Sequence, residues 1–334
     1  MMRSLLLILA VLAPLALPAA GAGAAAGEPW AFPVDGWYTW QVAAVDNAPS
    51  WCCVDWNRGR STAVACDLDG NDFNFGDFGD YADDGSRVPD VGVVQVYALT
   101  SGGKAARVRA MSPACPVESR GPITDFGRVE PTASLGWLKH RVRDDDSNAL
   151  PAIAVHRGPE ALAFVTDLAL HDQDTELREE AVFWLGQVRI AESRATIVEL
   201  MFGDQNPDLR ASAAFSLAES AAPDRTELLI RQGREDRDPE VRGQAWFWLA
   251  QTGAPESEAA IFAALRQDPS SEAREQAVFA LSELPGQRAV DCLAKIVHDA
   301  SMDRALREQA LFWLVQSDSD EAYETIDALL SKRE

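Results

Sequence analysis

The sequence predicts a mixed fold, in which a small β-rich domain held by disulfides precedes an all-α solenoid of about six helical hairpins. From residue 147 onward, a helical pattern returns about every 32 residues, which is typical of stacked units too small to bury their own apolar face. Residues 28–146 instead carry β-branched and aromatic segments bounded by turn-forming residues. Four of the five cysteines lie in that N-terminal part.

The first 27 residues have the pattern of a secretory signal peptide. Arg3 supplies a positive start, residues 5–17 are apolar, and small residues in Ala-x-Ala order follow at 20–26. The alternative is an uncleaved membrane anchor, but the run is shorter than the roughly 20 apolar residues that span a bilayer. We therefore expect an exported protein, periplasmic or secreted, whose mature chain has no membrane span.

The formal net charge of −22 restricts the partners that the protein can bind. Residues 28–146 carry net −7 and residues 147–334 carry net −16. Nucleic acids and anionic membrane surfaces both require a basic footprint, so neither is expected as a ligand. A protein with a basic patch is the partner that fits, and solubility alone is the other interpretation of the charge.

The cysteines predict two disulfides in the N-terminal domain. Export places Cys52, Cys53, Cys66 and Cys115 in an oxidising compartment. Because adjacent cysteines pair only with backbone strain, Cys52 and Cys53 should each bond one of the other two, in either combination. A zinc site is the alternative, although no C-x-x-C spacing is present. Cys292 is expected to be a buried helical thiol.

An acidic segment at residues 67–85 raises the question of calcium binding. An EF-hand loop starting at Asp67 would need Gly at its sixth position and Glu at its twelfth, where this chain has Asp72 and Phe78. The EF-hand motif therefore fails, and an irregular calcium site or a solvated loop remains. The tryptophans of the first strands leave a second alternative open, a carbohydrate-binding surface instead of a core: Trp30, Trp37, Trp40, Trp51 and Trp56.

Each helical unit opens with an N-cap residue, and an Arg follows four residues later. The caps are Asp174, Asn206, Asp238, Ser270 and Asp303, and the arginines are Arg178, Arg210, Arg242, Arg274 and Arg307. A further acid often lies two residues before the cap, at Asp172, Asp204, Asp236 and Asp268. We expect a structural ladder of ion pairs between neighbouring units. Capture of an acidic ligand by the Arg row is the alternative.

Aromatic residues recur in register within the same helices. Every unit has a Phe and, two residues later, a Leu, which lie about 200° apart on a helix, so we expect burial on several sides. Alternate units add a Trp and a Gln, and these are the candidate binding residues: Trp184, Gln187, Trp248, Gln251, Trp313 and Gln316. The units between them have Ser216 and Ala280 at the Trp position. The Trp side chains either pack over these small neighbours or line a groove for peptide or sugar.

The N-cap acid, the "LR" or "VR" pair and the A-x-F-x-L pattern resemble HEAT repeats of the short bacterial type found in phycobilisome-lyase-like proteins. This resemblance covers residues 147–334 and implies an ARM-type solenoid. The Cys52-Cys53 pair, "CDL" at Cys66 and "SPAC" ending at Cys115 look like the leading domain of exported bacterial HEAT-repeat proteins. That second resemblance implies no particular activity.

The resulting hypothesis is an exported scaffold that binds a partner protein through the solenoid surface, without cofactor or metal. Deoxyhypusine hydroxylase resembles these repeats but holds iron with His-Glu pairs, and no His-Glu dipeptide occurs in this chain. Ser-His-Asp, phosphate-loop and H-E-x-x-H patterns are also missing. We therefore predict that the chain is not an enzyme and assign no catalytic residue, with a HEAT-type enzyme such as a lyase as the least favoured alternative.

Overall fold

The structure is a computed structural model that describes residues 32, 34–46, 48, 51–57, 60–70, 92–102, 104–143, 148–317 and 319–331. The predicted signal peptide, most of the acidic segment and the boundary predicted at residues 146/147 lie outside the described residues. Among the described helices, none combines the length and the hydropathy that crossing a bilayer requires.

The N-terminal domain is built on a four-stranded sheet with the order β6-β5-β1-β8. The central pairs β1–β5 and β5–β6 are antiparallel, whereas β8 joins β1 in parallel. Two short ribbons, β2–β3 and β4–β7, complete the domain. The strands are β1 Gly36–Ala43, β2 Val54–Asn57, β3 Arg60–Ala63, β4 Cys66–Asp67, β5 Val93–Ser101, β6 Lys104–Met111, β7 Val117–Glu118 and β8 Ile123–Arg128.

Helices occupy the described chain from residue 131 onward. They are α1 Pro131–Lys139, α2 Ala149–Ala154, α3 Pro159–His171, α4 Thr175–Gly203, α5 Pro207–Glu219, α6 Arg225–Glu235, α7 Pro239–Gln251, α8 Ser257–Gln267, α9 Ser271–Ser282, α10 Gln287–His298, α11 Arg304–Gln316 and α12 Asp320–Ser331. Helix α4 contains two helical segments joined at a kink, where Arg189 has non-helical φ/ψ of −138° and 23°. The predicted solenoid of about six hairpins is thereby confirmed, starting with α2–α3.

The helical units stack in two layers. We call α5, α7, α9, α11 and the first part of α4 the first helices, and the helices that follow them the second helices. Successive first helices approach closely: a Cβ added at Gly186 of α4 would lie 2.8 Å from the Ser216 side chain of α5. Only glycine leaves room for that contact, so the first helices form the tightly packed layer.

The β-rich domain covers the N-terminal end of this array. Val45 N–H donates to Val155 O at 2.9 Å, and Arg157 N–H donates to Ala43 O at 2.9 Å, which ties the end of α2 to the end of β1. One apolar core runs from the sheet into the helices. The sheet therefore supplies the burial that the first hairpin would otherwise lack.

Both N-terminal disulfides are present, with one connectivity. Cys52 bonds Cys115 and Cys53 bonds Cys66. Cys292 is a free, buried thiol in α10, and burial raises its pKa to about 12. The sequence had left the two pairings open, and the zinc alternative is incompatible with cysteines that are bonded to one another.

Candidate functional site

Two ion pairs in the middle of the array are buried and doubly hydrogen-bonded. Arg210 donates from Nε and Nη2 to Asp236 at 2.8 and 2.9 Å, and Arg242 donates to Asp268 at 2.8 Å in both bonds. The hydrogen bond to Asp268 raises the pKa of Arg242. Each bidentate pair joins one unit to the next and fixes their stacking.

The outer members of the Arg row differ from this pattern. Arg178 pairs with Asp204 at 2.5 Å, and the more exposed Arg274 pairs with Asp303 at 2.6 Å. Among the described residues, Arg307 has no ion-pair partner, and its Nε is buried without a hydrogen bond. The carboxylates that face the other four arginines come from the array itself, so these four are closed to an acidic ligand.

One predicted cap is wrong. The side chains of Asp174 and Asp238 accept backbone N–H bonds at their helix N-termini, but Asp303 makes no cap bond to α11. The unit before the last is 33 residues long instead of 32, which shifts the last cap by one residue and puts Ser301 where the other units have an acid two residues before the cap. Asp303 therefore takes over as the partner of Arg274.

The two apolar stripes of the first helices are not equally buried. The Leu stripe is fully inaccessible, with 0% exposure at Leu185, Leu217, Leu249, Leu281 and Leu314. The Phe stripe is half-buried at Phe183, Phe215, Phe247 and Phe279 and reaches 51% exposure at Phe312. The expectation that both stripes are buried is wrong, because the neighbouring layers cover only the Leu side.

The Phe stripe and the three Trp residues form one continuous line of ring contacts, which we call the Phe–Trp ladder. Its members are Trp184, Phe183, Phe215, Trp248, Phe247, Phe279, Trp313 and Phe312. Phe183 stacks on Phe215 with centroids 5.8 Å apart, and Phe247 stacks on Phe279 at 5.6 Å. Trp248 and Trp313 each contact the Phe of the preceding unit, at 4.5 and 4.9 Å.

The candidate Trp and Gln residues take different positions along this ladder. Trp184 is buried and packs against Trp51 of the N-terminal domain at 5.5 Å, whereas Trp248 and Trp313 are half-buried. Gln187 is half-buried. Gln251 is exposed and donates from Nε2 to Glu283 at 3.3 Å, and Gln316 is exposed. Packing is therefore complete at the first Trp and partial at the other two.

An exposed carboxylate lies on the same stripe, seven residues before each Phe of the first four units. These acids are Glu176, Asp208, Glu240 and Glu272, which we call the acidic row. Two helical turns separate row and ladder, or about 10 Å along the axis. Burial, and then repulsion from Asp208 and Glu176, raises the pKa of Glu179, so carboxylates of neighbouring units influence one another.

Two overlapping segments, residues 162–245 and 226–311, match the family model for HEAT repeats. Residues 162–311 therefore contain HEAT repeats. That fold is compatible with a protein-binding scaffold. No curated protein matches the chain.

Two solved structures similar to the chain contain enzymes. Human deoxyhypusine hydroxylase in complex with glycerol is 18% identical, covers 58% of this chain and 88% of its own, and has a TM-score of 0.26. The complex of CpcE and CpcF of phycocyanin lyase from Nostoc sp. PCC7120 is 18% identical, covers 53% and 96%, and has a TM-score of 0.27.

These two matches contradict the prediction that the chain is not an enzyme, because a hydroxylase and a lyase are among the proteins that resemble it. The missing motifs that led to that prediction do not exclude catalysis in a HEAT-type chain. We withdraw the prediction and assign no reaction, since the likeness is too distant to transfer one.

The junction between the sheet and the HEAT array holds a buried polar cluster. Trp40 Nε1 donates to Ser134 Oγ at 2.8 Å, Ser134 lies 2.8 Å from His156 Nε2, and His156 Nδ1 faces Ala152 O. Arg189, at the kink of α4, donates to the carbonyls of His156 and Ala154. Ser134 and His156 are within 1% of full burial, so this Ser–His pair is closed to substrates and holds the junction together.

The N-terminal domain offers less support for a ligand site. Trp37, Trp40 and Trp51 are buried, so these rings cannot form an exposed platform for sugars. Asp69 accepts hydrogen bonds from Trp37 Nε1 and from the Arg120 backbone, and the bond from Arg120 lowers its pKa. Within the described residues, no cluster of three His, Cys, Asp or Glu could hold a metal ion.

The Phe stripe and the acidic row are the surface residues that sequence reasoning missed. The sequence predicts burial of the Phe residues, and helix-dipole stabilisation alone is enough to account for acids in the first turn of a helix. In the first four units an acid lies seven residues before the Phe, and a Gln or Glu lies four residues after it. Residues at these spacings share one side of a helix, so each Phe lies on a polar stripe. That stripe was the signal that the Phe face lies toward solvent.

Proposed function

We propose that the protein is an exported scaffold that binds a partner protein with a basic patch through its HEAT array. The acidic row carries this proposal. Its four carboxylates are exposed and form no ion pair with a described Lys or Arg, whereas the four members of the Arg row on the same helices are each neutralised by an Asp of the array. The first helices therefore present uncompensated negative charge, which attracts a basic protein surface.

Two observations support export. The first 27 residues have signal-peptide order, and the N-terminal domain contains two disulfides, which persist in oxidising compartments. Mass spectrometry of protein recovered from the periplasm or the medium should find an N-terminus close to residue 27. A cytosolic, uncleaved chain would contradict this part of the proposal.

The binding proposal is tested by retention of partners on the immobilised mature protein, from periplasmic or secreted extract. Retention should be strong near 0.05 M salt and weak near 0.5 M, because salt screens exposed charges. Retention that does not depend on salt, or no retention at low salt, would refute it.

A matched pair of variants locates the surface. Glu240→Lys reverses one charge of the acidic row. The control, Glu227→Lys, reverses an exposed charge in the first turn of α6, which is one of the second helices. We expect Glu240→Lys to weaken binding of the retained partner roughly three- to tenfold and Glu227→Lys to leave it unchanged. Equal effects of the two would show that overall charge, and not this surface, determines binding.

A further inference from the structure

The aromatic rings of the two helical layers differ in whether Lys or Arg side chains lie over them. Among the second helices, the Arg231 guanidinium lies 4.3 Å from the Phe202 ring, and Phe262 has Arg266 and Lys295 both at 5.8 Å. The long stems of these cations cover apolar surface. The protein thus shields the half-buried rings of that layer with its own side chains.

The ladder rings of the first helices have no such cover. No described Lys or Arg lies over Phe183, Phe215, Phe247, Phe279 or Phe312. In the first four of these units the arginine of the Arg row points into an ion pair with an Asp side chain. The ladder therefore remains an open apolar line across five units. A row of uncompensated carboxylates runs beside it.

The spacing of these two lines fits one type of partner. The acidic row lies about 10 Å from the ladder, which is close to the 10–12 Å diameter of an α-helix with its side chains. Neighbouring first helices are about 8–10 Å apart, and seven residues of a helix advance about 10.5 Å. A helix lying across the units would thus present an apolar residue to successive units every seven positions.

We propose that the ladder and the acidic row together dock a basic amphipathic helix of another protein. Its apolar stripe lies on the Phe–Trp ladder, and the Lys and Arg residues on one flank face the acidic row. Crossing all five units needs about 27 residues. This inference rests on the proposed scaffold function and adds the surface and the form of the partner.

The test uses three synthetic peptides of about 28 residues with the mature protein. The first peptide has Leu at heptad spacing and Lys on one flank, the second has the same composition in scrambled order, and the third has Glu in place of Lys. We expect fluorescence anisotropy to show binding of the first peptide at least tenfold tighter than of the others, with helix gained on binding in circular dichroism.

Variants at one ladder ring complete the test. Phe247→Ser should weaken binding of the first peptide about tenfold, because Phe247 would be a central anchor of the interface. Phe247→Leu should retain most of the affinity. Phe262→Ser, a matched half-buried ring in the other layer, should have no effect, and thermal melts verify that each variant is folded.

The outcomes separate this inference from the scaffold proposal. Equal binding of the scrambled peptide, no binding of the first peptide, or equal effects of Phe247→Ser and Phe262→Ser would overturn the helix-docking inference. If salt-dependent retention of a native partner and its sensitivity to Glu240→Lys persist, the scaffold proposal survives that loss.

Discussion

At the scale of single residues, the buried environment of His156 could not be predicted from the sequence. Four His residues stand far apart in the sequence, and nothing there distinguishes this one. Its environment comes from distant elements, because Ser134 belongs to α1, Trp40 belongs to β1 and Arg189 lies at the kink of α4. Burial, with a smaller contribution from the Arg189 charge, lowers its pKa to about 4.

This pKa makes stability depend on pH. An unfolded His titrates near pH 6.5 and the folded one near 4, so the unfolded chain binds more protons between these values and stability falls as the pH falls. The contribution is constant above about pH 6.5, declines by about 3 kcal/mol toward pH 4 and is level below it. Denaturant unfolding at a series of pH values should show the decline, and His156→Gln should flatten it. An unchanged pH slope in that variant would assign the decline to other groups.

At the scale of elements, the repeat predicted the helices of its five full units but not which side of each helix is covered. Phe247 and Leu249 lie on different sides of α7, and both are apolar, so composition alone favoured burying both. The positions of the neighbouring helices decide the matter, since they enclose the Leu and leave the Phe half-exposed. The Arg–Asp register was easier to foresee, because its partners recur at a fixed spacing.

The ion pairs between units should differ in strength with their burial. Arg242→Met would leave the buried Asp268 carboxylate without its cation, and we expect a loss of about 3 kcal/mol in the free energy of unfolding. Arg274→Met removes a pair whose side chains are 27% and 58% exposed, so about 1 kcal/mol or less is expected. Urea unfolding of both variants measures the two losses. Equal losses would mean that burial does not determine how much each ion pair contributes to stability.

At the scale of the whole molecule, the sequence predicted a disulfide-held domain followed by a solenoid but not the cysteine pairing. The pairing depends on long-range contacts: β4 pairs with β7, and Cys66 N–H donates to Pro116 O, in the segment beside Cys115. No local pattern encodes such a contact. The attachment of the array through Trp51 and Trp184 was hidden for the same reason.

The thiols give a direct measure of this arrangement. Unreduced protein should show no reactive thiol at neutral pH while folded, since Cys292 is buried and its pKa is about 12, and one thiol after denaturation. Peptide mapping should recover Cys52 with Cys115 and Cys53 with Cys66. Three or more thiols in unreduced, denatured protein would contradict the two disulfides.

Replacing the two cysteines of one disulfide by Ser should lower the free energy of unfolding by about 2–5 kcal/mol.

The alternation of ring contacts has a consequence for how this array can change length. Phe stacks on Phe at one junction and Trp tilts on Phe at the next, so the pattern closes on itself after two units, not one. Gain or loss of a single 32-residue unit would place two Trp-bearing helices, or two helices lacking Trp, side by side and break the alternation of the two kinds of junction. Gain or loss of a 64-residue doublet leaves every junction as it was, so the doublet is the step by which the array can grow or shrink intact.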